Sequence, residues 1–310
     1  MTGGVLVVDK PAGPTSFDVV RRVRRLLGAA KAGHAGTLDP MATGVLAVCV
    51  GDAVKLQQFL AEGDKAYEAA VAFGIATDTQ DAEGKAVERG DPSRLDAAAV
   101  AAALPHFLGE IRQVPPMFSA VRVAGRRLHE VAREGKTVAR APRTIRIDAL
   151  ELLAFEPAGA GPALARLAVR CGKGTYVRTL AFDLGRALGI PAHLAALRRT
   201  ASGPFVVAQA VPLAEAERLG REDPAALRAR LVPAADVLGF MPAVRLAPAQ
   251  ALDLSHGRAL RLPAPPGLCR ALDGAGRLVA VCAAGEGWLR PIRVLATPAE
   301  ISCQITPENH

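Results

Sequence analysis

Gly33-His34-Ala35-Gly36-Thr37-Leu38-Asp39-Pro40-Met41-Ala42-Thr43-Gly44-Val45-Leu46 is the stretch on which the reading of this chain turns. Three glycines and a proline demand special backbone angles, so the segment is a shaped loop between apolar runs. It carries one carboxylate, Asp39, and one imidazole, His34. Loops of this kind are disproportionately functional. An isolated Asp-Pro more often caps a turn, and a lone histidine is more often structural, so the residues by themselves leave both readings open.

Working outward, Gly4 to Val8 reads as a short strand and Pro11 to Pro14 as a turn. Ser16 then serves as N-cap of a helix ending near Gly28. Phe17, Val20, Val23 and Leu27 recur at helical spacing in it, while Arg21, Arg22, Arg24 and Arg25 crowd the other surface. Lys65 to Phe73 and Ala163 to Cys171 alternate with the period of half-buried strands. Helices are expected at Leu95 to Leu104, Tyr176 to Leu188 and around Leu213 to Leu219. With no βαβ rhythm, this is a mixed α+β domain. From about Pro242, short apolar runs separated by Gly and Pro suggest a small β module, with a boundary near residue 241.

Composition sets the outer limits. The chain has 310 residues, half of them apolar, enough for one large domain and a smaller one. The apolar run Val5 to Val8 is broken at once by Asp9 and Lys10, unlike a signal peptide, so a cytoplasmic protein is expected. Cys49, Cys171, Cys269, Cys282 and Cys303 are scattered without a Cys-x-x-Cys pair and read as reduced, mostly core thiols. A formal charge of +8 and a pI near 9.7 favour polyanionic partners.

The loop from Gly33 to Leu46 closely resembles the catalytic motif of the TruB family of pseudouridine synthases. Other segments resemble that family in the same order: Gly4-Val5-Leu6-Val7-Val8-Asp9-Lys10-Pro11 with Thr15-Ser16-Phe17, then Lys65-Ala66-Tyr67 with Thr77-Asp78-Thr79-Gln80-Asp81, then Gly174-Thr175-Tyr176-Val177-Arg178-Thr179-Leu180 with Asp183-Leu184-Gly185. The agreement runs over roughly residues 3 to 205. Ala35 stands where Thr is common, Val121-Arg122 replaces Leu-Lys, and His129 occupies a commonly aromatic position. These departures touch contacts outside the chemistry.

The resemblance implies a synthase catalytic domain over 1–241, with a central mixed or antiparallel sheet flanked by helices. A mobile thumb is implied within residues 113–143, and a small PUA-like RNA-binding module over 242–310. It also implies isomerisation of uridine to pseudouridine at position 55 in the tRNA T-loop, by a monomer without cofactor, metal, membrane or obligatory protein partner. Asp39 becomes the catalytic carboxylate, suited to a bond that breaks with oxocarbenium-like charge on the sugar. Arg178 becomes its ion-pair partner, keeping it ionised. Tyr67 stacks on the target base, and His34 holds the flipped RNA conformation. Thr37, Leu38, Tyr176 and Lys10 line or support the substrate site, and Arg126, Arg127, Arg143, Arg146 and Lys173 are candidates for RNA-backbone contact. The acidic residues Asp78, Asp81 and Glu83 lack calcium-loop spacing and read as a structured loop beside the site. A tRNA-binding protein without chemistry, and a guide-RNA-dependent enzyme, stand as the competing functions.

Overall fold

The computed structural model describes residues 3–119, 121–123, 125–159 and 161–305. Its centre is an 11-stranded sheet. The path through that sheet uses β1 (Gly4–Lys10), β2 (Thr43–Val50), β3 (Lys65–Phe73), β4 (Gly109–Gln113), β5 (Arg143–Glu156), β6 (Ala163–Cys171), β7 (Ala192–Ser202) and β8 (Val211–Pro212). They lie in the order β8-β1-β2-β7-β3-β6-β5-β4. Most neighbours are antiparallel, but β8 on β1 and β7 on β2 are parallel, so the sheet is mixed as the family resemblance implies.

Helices α1 (Ser16–Leu26), α2 (Ala97–Ala103), α3 (Val177–Ala187) and α4 (Leu213–Glu222) cover one face over a core of Leu6, Val8, Val23, Leu46, Phe73, Leu167 and Leu184. Helix α1 differs from the expectation in two respects. Thr15 is its N-cap, in a reciprocal capping box with Asp18, and Ser16 is the first helical residue. Phe17 is largely exposed, while Val19 takes a core position. The helix is turned this way because the Ser16 hydroxyl is committed inward, donating to Leu38 O and accepting from Leu38 N, both at 2.8 Å.

A second, five-stranded sheet follows, formed by β9 (Ala243–Arg245), β10 (Leu260–Arg261), β11 (Gly267–Leu272), β12 (Leu278–Gly285) and β13 (Trp288–Val294) in the order β9-β11-β12-β13-β10. The chain also forms a helix at Pro248–Ser255, which the reading of a β module did not foresee. The cysteines whose side chains are described, Cys49, Cys171, Cys269 and Cys282, are buried and free. Among the described residues no helix is long and apolar enough to cross a membrane.

The register of the large sheet assembles the site. Lys10 on β1 lies opposite Gly44 on β2, Gly44 is beside Arg199 on β7, and Arg199 is opposite Tyr67 on β3. Cross-strand partners share a face, so one row collects a lysine, an arginine and a tyrosine from three strands, with Gly44 of a fourth between the lysine and the arginine. Gly44 makes room for it: its φ is +99°, and a Cβ there would stand 2.2 Å from Arg199 O.

Candidate active site

Asp39 stands in the loop that leaves the short strand Ala32–His34 and returns into β2. Successive contacts pin that loop. Ala35 N donates to Ala47 O at 3.0 Å, Ser16 clamps Leu38 on both its polar atoms, and Ala42 N closes a turn onto Asp39 O at 3.1 Å. Pro40 O accepts from Lys10 Nζ at 3.0 Å and from Gly13 N at 2.9 Å. The carboxylate itself is held by Arg178, whose Nε donates to Oδ2 at 2.8 Å. About a third of the Asp39 side chain stays open (34%), so a reacting group can reach it.

Arg178 sits in the first turn of α3 and is almost wholly buried. Its other donors go to Thr79 O at 3.0 Å, Phe118 O at 2.9 Å and Asp81 Oδ2 at 3.4 Å. Asp81 in turn accepts from Thr79 Oγ1 at 2.5 Å and Glu83 N at 3.1 Å. The acidic loop at 78–83 therefore supplies a second carboxylate to the arginine. Gln113 orients the start of α3, accepting from Tyr176 N at 2.9 Å and donating to Tyr176 O at 3.1 Å.

The electrostatics correct one expectation. Burial pushes the Asp39 carboxyl above its ordinary value; Arg178 opposes that, Asp81 adds to it, and Lys10 opposes it. Desolvation thus outweighs the ion pair, and the anion is held in place without being made more acidic. Burial likewise brings Lys10 down to about 8, against the pull of Asp39. The Tyr67 phenol is raised by burial, with Arg199 pulling it back, and the His34 imidazole is lowered by burial and then by Arg199. His34 is therefore neutral at physiological pH, and its Nδ1 has no hydrogen-bond partner among the described residues.

Asp39 pairs with Arg178, Tyr67 lies within electrostatic reach of Asp39, and both Tyr67 and His34 lie within reach of Arg199. Leu38 and Lys10 are not surfaces for a substrate. Leu38 packs into the core, and Lys10 is fully buried with its ammonium spent on Pro11 O and Pro40 O, so both shape the loop from behind. Thr37 is exposed at the loop's rim, and Tyr176 is half-buried as the N-cap of α3. The proposed backbone contacts are scattered. Arg126 pairs with Glu134, Arg146 with Asp64 at 2.7 Å and Lys173 with Glu62, while Arg143 is exposed. The side chain of Arg127 lies outside the described residues, as does that of His129.

Sequence reasoning missed Arg199 and Gln113; it placed Asp81 beside the site without its contact to Arg178, and read Ser16 as a cap without its bonds to Leu38. Arg199 carried a signal, since it is in phase with Leu197 on an alternating strand, which places it on the buried face.

Residues 24–177 match the TruB family pseudouridylate synthase N-terminal domain, residues 178–238 the tRNA pseudouridylate synthase B C-terminal domain, and residues 241–296 the tRNA pseudouridine synthase II C-terminal domain. A tRNA pseudouridine synthase B of Symbiobacterium thermophilum is 54% identical over 82% of each chain. That of Aromatoleum aromaticum is 48% identical over 96% of this chain and 94% of its own. The chain belongs to the TruB family. Its fold also superposes on that of a chain in the crystal structure of a Cbf5-Nop10-Gar1 complex, with TM-score 0.75, 27% identity, and coverage of 96% of this chain and 86% of that one. In this TruB-family chain the Asp39–Arg178 pair joins the Gly33–Leu46 loop to the first turn of α3, and Tyr67 on β3 lies within electrostatic reach of Asp39.

Proposed function

We propose that this protein isomerises uridine to pseudouridine at position 55 in the T-loop of tRNA, with Asp39 as the catalytic carboxylate. The observation that carries the reading is the Asp39–Arg178 pair: a partly open carboxylate fixed by a buried guanidinium, within electrostatic reach of Tyr67. Breaking the N-glycosidic bond places oxocarbenium-like charge on the ribose, and an oriented anion stabilises or traps it. The uracil then turns, C5 joins C1', the C5 proton is lost to solvent and N1 takes one up, so the product is an isomer of the substrate and no oxidant or reductant is needed. Tyr67 stacks on the flipped base, worth about 1 to 3 kcal/mol, and neutral His34 supports the flipped RNA.

The same reading takes 1–241 as the catalytic domain, residues 113–143 as a thumb that closes on the T-arm, and 242–310 as a PUA-like module that adds RNA contact. The protein acts in the cytoplasm as a monomer, without a guide RNA or obligatory partner. Identities of 48–54% to tRNA pseudouridine synthases B, against 27% to the chain from the Cbf5 complex, support the standalone mode.

The test is tritium release from an unmodified tRNA transcript labelled at uridine C5, with purified protein alone. About one equivalent is expected from the native protein, and none from Asp39→Asn or from a transcript carrying cytidine at position 55. Tight tRNA binding without release by the native protein would favour a binding or guide-dependent role instead.

A further inference from the structure

Arg199 is the largest side chain among those fully buried, at 1% exposure. A buried cation ordinarily needs a carboxylate, yet among the described residues Arg199 has none within salt-bridge distance. Its neighbour Arg198 behaves conventionally, binding Asp9 through two nitrogens at 3.1 and 2.8 Å at a half-exposed site. Arg199 spends its donors on backbone carbonyls instead: Nη1 on Thr37 O at 3.2 Å, Nη2 on Gly36 O at 3.1 Å and Nε on Val45 O at 2.7 Å. Gly36 and Thr37 enter the Asp39 loop and Val45 leaves it. One rigid guanidinium thus ties the two strands of the loop together at its neck.

We infer that Arg199 is a positioning residue for the isomerisation, a splint that closes the neck of the catalytic loop and so fixes where Asp39 stands relative to Tyr67. This rests on the activity proposed above. The sheet register gives the splint its reach. Arg199 lies between Gly44, at the return of the loop, and Tyr67, which carries the base-stacking ring. Its charge reaches both the Tyr67 phenol and the His34 imidazole. Volume alone could be filled at that point by an apolar side chain with no charge to desolvate. What an apolar residue cannot do is donate along separate, fixed directions, and lysine, a point donor, can only do so in part. Arg178 acts on the carboxylate directly; Arg199 acts on it only through the backbone that bears it.

The experiment is single-turnover tritium release and tRNA binding by Arg199→Lys and Arg199→Met, with far-UV circular dichroism and thermal melting on the same samples. Arg199→Met is expected to bind tRNA within about 3-fold of native while its rate falls about 10²-fold, the scale of a small misplacement of a reacting group. Arg199→Lys is expected to recover part of that rate. A folded Arg199→Met protein that turns over at the native rate overturns the inference. So does a parallel loss of binding and rate, which would make Arg199 part of RNA affinity. Failure of both variants to fold would assign the residue to stability alone. The native protein run alongside separates the two proposals: absence of release from it strikes the activity itself and this inference with it.

Discussion

Arg178 divides its guanidinium between Asp39 and Asp81, and that division bears on both the position and the acidity of the carboxylate proposed to react. Asp81→Asn removes a negative charge that pushes the Asp39 carboxyl upward, and also weakens one anchor of Arg178. The two effects have opposite signs on different observables. In the proposed reaction Asp39 acts ionised, so lowering its ionisation point should move the acid limb of the rate profile to lower pH. Loss of the anchor should lower the plateau by about 10-fold or more, at unchanged tRNA affinity. Single-turnover rates from acid to neutral pH check both; an unmoved acid limb would break the electrostatic account. At this scale the Asp39–Arg178 contact was legible through the family resemblance of the two motifs that carry it. Asp81 was placed beside the site, but its contact with Arg178 was not foreseen, because an acidic run looks the same whether it is solvated or turned onto a buried arginine. Arg199 was not, because charge argues for the surface until the strand phase is counted.

Helix α3 carries Arg178 into the site, and its own cost lies one turn and a half further on. Asp183 is half-buried, accepts no hydrogen bond from the described residues, and is raised by burial from 3.8 to about 6. A carboxyl raised in the folded state binds its proton more tightly there than in the unfolded chain, so it costs stability where it is ionised in both states. The penalty is complete above about pH 6, shrinks as pH falls toward 3.8, and is absent below that. Asp183→Asn should therefore stabilise the protein near neutral pH by about 1–2 kcal/mol. That is less than the ~3 kcal/mol matching the full shift, because the group is partly open to water. Melting curves of both proteins at pH 7 and near pH 4 check it, since the gain should vanish at the acid end. Elements were largely legible: Lys65–Phe73 and Ala163–Cys171 match their strands residue for residue. Helix α1 shows the limit, since periodicity locates the helix but a tertiary hydrogen bond from Ser16 decides which residues turn inward.

For the whole molecule, β1 connects the catalytic sheet to the C-terminal module. Leu6 and Val8 enter the core beneath the helices, whereas Val5 and Val7 join a second cluster with Leu272, Leu278, Val281 and Leu295. Gly4 to Val8 was read only as a short strand; its unbroken apolar run suits a strand covered on both faces, and here the second cover is the C-terminal module. Polar contacts reinforce that junction: Lys55 Nζ donates to Val294 O at 3.0 Å and Arg270 to Ala235 O at 2.6 Å. A shared apolar interface of this kind couples the unfolding of the two parts. The sole tryptophan, Trp288, lies on β13 and reports the C-terminal module, while far-UV circular dichroism is dominated by the larger sheet and its helices. Their denaturation midpoints should therefore coincide. Leu278→Ala, which opens a cavity at the junction, should lower both together by about 2–4 kcal/mol. Separate midpoints, or a loss confined to the Trp288 signal, would show that the module only rests on the catalytic sheet. The strand that carries Lys10 would then owe its rigidity to the catalytic sheet and its covering helices alone.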